Sequence, residues 1–141
     1  MQTSLNGIAF IEANEGFCPT VRPDNRGPMI GFGHDLQPGE TFPDGITPAD
    51  AAQLLLNDLH TRFEPAVNRL ADPSCTQNQF DALVDFCYNL GPGDLATMLH
   101  HGWAAVPVQM LAWVYGEIDG VEQKLPGLEA RRAKEVALFN S

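Results

Sequence analysis

The chain has 141 residues, 44% of them apolar, which suits one domain with a core of its own. Its formal net charge is −10 with only two lysines, Lys124 and Lys134, which argues against a phosphate-neutralising nucleic-acid surface and leaves solubility as the simplest role of the charge. No apolar run approaches the roughly 18 residues of a membrane span, and MQTSLNGIAFIEANEG has neither the basic start nor the apolar block of a signal peptide.

The first helix is expected to start near Ser4, with Leu5, Ile8 and Ile11 at helical spacing and Gly16 as its stop. Cys18 to Gly27 reads as loop and turn, with Pro23-Asp24-Asn25-Arg26-Gly27 at its tip. Met29 to His34 reads as a short strand of a hairpin or small sheet. There Ile30, Phe32 and His34 would share one face and Met29, Gly31 and Gly33 the other. After a turn-rich loop over 38–45, Thr47-Pro48-Ala49-Asp50 supplies an N-cap, a proline at N1 and an acid at N3 for a helix carrying Leu55, Leu59 and Phe63, which Pro65 should interrupt or kink. Thr76-Gln77-Asn78-Gln79 is a capping box, followed by Phe80, Leu83, Val84 and Cys87 at helical spacing and a stop at Gly91-Pro92-Gly93. Shorter helices are expected over 95–99 and 108–115, and a last one over 128–139 burying Leu128, Val136 and Phe139. The pattern predicts an α+β, mainly α fold with its small sheet segregated near the N-terminus.

Cys18, Cys75 and Cys87 show no C-x-x-C spacing, and their odd number fits a reduced cytoplasmic origin. The adjacent His100 and His101 would point apart on a helix, and no histidine or cysteine spacing implies a metal.

The candidate chemistry lies in two acids. Glu15 falls in the last turn of the first helix, where the helix C-terminus and the neighbouring Phe17 both favour a protonated carboxyl. Asp24 lies in a polar turn that favours an ionised one. An acid and a carboxylate around an acetal are what glycoside hydrolysis needs, and a bare glycine face at Gly31 and Gly33 would let a sugar approach the backbone. Acids near helix ends and alternating glycines also occur for purely structural reasons.

Several segments, in order, resemble the phage-type lysozymes, the endolysin family of muramidases. They are Glu15-Gly16 followed by Asp24, the strand Gly31-Phe32-Gly33-His34, the helix in ITPADAAQLLLNDL, the central TQNQFDALVDFCYNLGPG and the C-terminal PGLEARRAKEVALF. The resemblance covers nearly the whole chain. It implies a two-lobed lysozyme-like fold in a single domain over 1–141, with a small β-containing lobe over about 15–60 and a helical lobe over about 61–141 plus the N-terminal helix. It implies cleavage of the β-1,4 bond between N-acetylmuramic acid and N-acetylglucosamine in peptidoglycan, with Glu15 as general acid and Asp24 as the second catalytic carboxylate. Met29, Gly31, Gly33, Tyr88 and Asn89 would line the substrate cleft, and His34 would support the strand. Arg131 matches an arginine that approaches the catalytic glutamate. Read from the residues alone, Arg131 is equally an exposed i,i+4 partner of Glu135, and Arg132, three residues from Glu135, could serve as well.

No cofactor is implied, and with the charge, ligand spacing and hydropathy above, the expectation is a monomer that acts on peptidoglycan with no metal, no nucleic-acid partner and no membrane insertion. Such a chain fits an endolysin made in a bacterial cytoplasm and reaching the cell wall by a holin or another route, and equally a catalytic domain of a larger cell-wall-degrading or effector protein. One departure stands out: Met29 occupies a position where the family usually has a threonine that helps hold a water. A thioether holds water poorly, and Thr20 or Asn25 would have to supply the polar group. This departure keeps a second reading open, a lysozyme fold retained as a peptidoglycan- or protein-binding module.

Overall fold

A computed structural model describes every residue except 25 and 26, and only the backbone at Asp24. Helix α1 (Leu5–Glu15) is capped by Ser4, whose Oγ accepts the Gly7 N–H at 3.1 Å, and it ends at Gly16. A three-stranded antiparallel sheet follows in the order β1-β2-β3, from β1 (Cys18–Asp24), β2 (Gly27–Gly31) and β3 (His34–Asp35). Helix α2 (Pro48–Asp58) starts on Thr47 as its cap and runs without a break through one π-helical turn (Leu59–Phe63) into α3 (Glu64–Leu70). Pro65 therefore sits directly after the π-helical turn, and the helix continues past it.

Helix α4 (Gln77–Leu90) is the centre of the molecule. Both bonds of its capping box form, and every residue from Phe80 to Tyr88 is buried. A helix covered on all sides must find partners for its polar side chains. Asp81 accepts the Ser4 N–H at 3.0 Å, the Ser4 hydroxyl and Gln77 Nε2, which stitches the start of α1 to α4. Asp85 is completely buried and is partnered by α7. Around α4 pack Ile11, Leu55, Leu59, Val67, Leu95, Met98, Val106, Met110 and Phe139. Helix α5 (Pro92–Leu99), a 3-10 turn (Trp103–Ala105), α6 (Val106–Met110) and α7 (Pro126–Phe139) complete the helical part. Among the described residues no helix is long and apolar enough to cross a membrane.

Four local expectations are corrected. The segment from Cys18, read as loop and turn, forms strand β1 as far as Asp24. The strand expected over Met29 to His34 breaks at a Phe32-Gly33 turn, so Phe32, Gly33 and His34 do not continue the face alternation of β2. Gly31 and Gly33 have φ of +66° and +83°, values that L side chains resist, so the alternating glycines are there for the turn. The helix expected over 108–115 is shorter, and a second hairpin, β4 (Tyr115–Ile118) and β5 (Val121–Lys124), turns at Asp119-Gly120. Leu5, placed on the apolar stripe of α1, is 84% exposed, and that helix buries Gly7 and Ile11 instead.

Candidate active site

The α1 C-terminus, the Phe32-Gly33 turn, α4 and α7 converge on Glu15. Its side chain is 15% exposed, and its Oε1 lies 2.7 Å from Arg131 Nη1. A Cβ built on Gly33 would stand 2.8 Å from Glu15 Oε2 and 3.3 Å from a Tyr88 ring carbon, so any larger residue at this turn would push the carboxylate from its position. Tyr88, itself 6% exposed, donates its hydroxyl to the Phe32 carbonyl at 2.8 Å and stacks at a tilt on Phe63. Burial first, then the negative charge of Glu15, pushes its phenol well above the ordinary range, so it stays a neutral donor.

Arg131 is 8% exposed, which corrects the reading of it as an exposed helix partner. Its Nε and Nη2 donate to the two oxygens of Asp85 at 3.0 and 2.9 Å, while Nη1 faces Glu15. Burial opposes its charge, but Asp85 and then Glu15 outweigh that and raise its pKa. An arginine against Glu15 favours the ionised carboxylate, which opposes the protonating effects expected of the helix end and Phe17. Phe17 itself is 37% exposed and leans on Phe32.

Behind Arg131, Glu135 Oε1 lies 3.7 Å from its Nε and 2.6 Å from Arg132 Nη2. Glu135 and Arg132 are both fully buried. Burial and the adjacent Asp85 carboxylate raise the Glu135 pKa well above the usual range, against the opposing pull of Arg132 and Arg131. Arg132 also donates to Asn89 Oδ1 at 2.9 Å and lies over the Phe86 ring.

Not all the residues singled out from the sequence meet here. Gly31 is buried, and a Cβ there would meet Ala51 of α2 at 3.0 Å, so it presents no bare face to a ligand. Met29 is half-buried in β2, opposite Arg22 and Asp35. Thr20 is exposed. The backbone of Asp24 pairs with Gly27 at the end of β1. The Asp24 side chain and Asn25 lie outside the described residues. His34 is buried away from Glu15, with Nδ1 2.6 Å from Asp58 and Nε2 2.9 Å from Glu40. The Asp58 hydrogen bond outweighs burial, and with Glu40 it raises the imidazole pKa to about 9, so His34 is a cation tying β3 to the end of α2. Among the described residues, no group of three or more His, Cys, Asp or Glu is placed to hold a metal ion.

Sequence reasoning missed Asp85, Asp58 and Glu40. The available signal was two aspartates, Asp81 and Asp85, one helical turn apart among the otherwise apolar residues from Phe80 to Tyr88.

Residues 12–135 match the family model described as phage lysozyme. The endolysin of Salmonella phage P22 is 36% identical over the whole chain, which covers 99% of that protein. The endolysin of Bacillus phage PZA is also 36% identical, and the chain spans 56% of its length. Among solved structures, the muramidase domain of SpmX from Asticaccaulis excentricus superposes with a TM-score of 0.86 at 33% identity, covering 99% of this chain and 98% of that one. The family match takes in the end of α1, the small sheet and the long helices through Glu135, the segments that assemble around Glu15. The chain belongs to the phage lysozyme family.

Proposed function

We propose that the protein is a peptidoglycan hydrolase of the muramidase type, which cuts the β-1,4 bond between N-acetylmuramic acid and N-acetylglucosamine. The observation that carries this is the Glu15 carboxyl. It is partly exposed, held through Oε1 by Arg131, and its Oε2 lies against the Gly33 turn. Glu15 acts as general acid and delivers its proton to the leaving glycosidic oxygen. Asp24 is the second carboxylate and meets the oxocarbenium-like charge, either through a water or directly. Kinship with endolysins and with a muramidase domain supports the reaction class.

The test is release of reducing ends from purified peptidoglycan by wild type and Glu15→Gln. Release by the wild type alone is the expected result. Equal release by the variant overturns the assignment of Glu15. Anomer analysis of the first product then separates a retaining from an inverting role for Asp24.

Met29 favours a second reading, a fold that binds peptidoglycan without cutting it. Binding to sacculi with no reducing ends released by the wild type would establish it.

A further inference from the structure

Glu15 must hold a proton to act as a general acid, yet a guanidinium stands 2.7 Å from it. An unopposed cation at that distance would strip the proton. The guanidinium is not unopposed. Asp85, on the opposite side of Arg131 and fully buried, takes two of its N–H groups in a bidentate grip and is itself steadied by Asn14 Nδ2 at 3.3 Å. We propose that Asp85 is a positioning residue for the reaction: it aims Arg131 at Glu15 and cancels the guanidinium charge, so that Glu15 can be loaded with the proton it transfers. The proposal rests on the hydrolase reading above.

Among the described residues, Asp85 is the acid in bidentate contact with Arg131. On α4 the other titratable neighbour is the Tyr88 phenol, which stays neutral. On α7, burial and the Asp85 carboxylate push the Glu135 carboxyl well up, and the Arg132 guanidinium is turned toward Glu135 and Asn89. Lys134 reaches only Asn14, at 3.4 Å. The Phe32-Gly33 turn brings no charge, and Asp35 of β3 and Glu12 of α1 add further acids nearby in the chain. Among the described residues, Arg131 is a cation in contact with Glu15, and Asp85 grips it through two N–H groups while Glu135 Oε1 stands farther off, 3.7 Å from its Nε.

The rate falls as pH rises through the Glu15 titration, because the acid loses its proton. Asp85→Asn leaves Arg131 uncompensated, so the Glu15 titration and the alkaline limb of the rate should move to lower pH by about one unit or more. Arg131→Met leaves the Asp85 charge facing Glu15 and should move both to higher pH. Asp85→Asn with Arg131→Met should return both toward the wild type. The measurement is a carbon-13 NMR titration of the Glu15 carboxyl, assigned with Glu15→Gln, alongside the pH profile of reducing-end release. An unmoved Glu15 titration in folded Asp85→Asn overturns the role of Asp85. If that variant does not fold, the absence of an upward shift in Arg131→Met overturns it instead. Absence of turnover in the wild type overturns the hydrolase reading, while the titrations still report whether Asp85 controls the Glu15 proton.

Discussion

A side chain on Gly33 would displace the carboxylate of Glu15: the first added carbon would lie 2.8 Å from Oε2, on a backbone whose φ is +83°. Gly33→Ala should therefore cost about 1–3 kcal/mol in backbone strain. It should also lower reducing-end release on the order of 100-fold by displacing the acid. Gly31→Ala is the control. It carries similar strain at φ +66°, but its methyl meets Ala51, away from Glu15. Thermal melts of the two alanine variants should be alike and their rates should differ. Equal rates would show that Gly33 serves the turn alone.

His34 makes stability depend on pH. Its folded pKa of about 9 lies above the ordinary 6.5, so its contribution is complete below about pH 6.5 and is lost as pH rises through 9. Glu40 is a third exposed, which trims the gain to about 2–3 kcal/mol. His34→Gln should be less stable than the wild type at pH 6, and the gap should close by pH 10. Denaturant melts at the two pH values measure it, and a gap that stays constant would remove the cationic role.

Tyr88→Phe deletes one hydrogen bond, to the Phe32 carbonyl, and leaves the ring packing in place. The stability loss should be about 1 kcal/mol. Because that carbonyl belongs to the turn resting on Glu15, the rate should fall by more than the melting temperature suggests. An unchanged rate would make Tyr88 a core residue only.

Local signals in the sequence were reliable where the physics is local. Ser4, Thr47 and Thr76 cap the helices that their spacing predicts, because a cap bonds within three residues of itself. The glycine alternation was misjudged as a strand face because period two and a turn with two positive φ values look alike in one sequence. Asp119-Gly120 is a hairpin signal that the apolar run before it concealed. The proximity of Glu15 to the C-terminal arginine came from family resemblance, since no spacing reveals a pair 116 positions apart, 131 minus 15. Asp85 escaped entirely: an acid inside an apolar helix reads as an exposed position until its partner on another helix is known.

The first helix closes onto partners that come much later in the chain. The Thr3 N–H and hydroxyl both bond to Glu64, and the Ser4 N–H and hydroxyl to Asp81, across separations of 61 and 77 residues. During synthesis these donors leave the ribosome well before their acceptors, and the strand segment emerges between them. The helical half thus cannot finish folding until the N-terminal segment returns to it. A nascent chain halted before Asp81 would hold Glu15 on a helix that has met neither α4 nor α7, so the site cannot form ahead of the body that supports it.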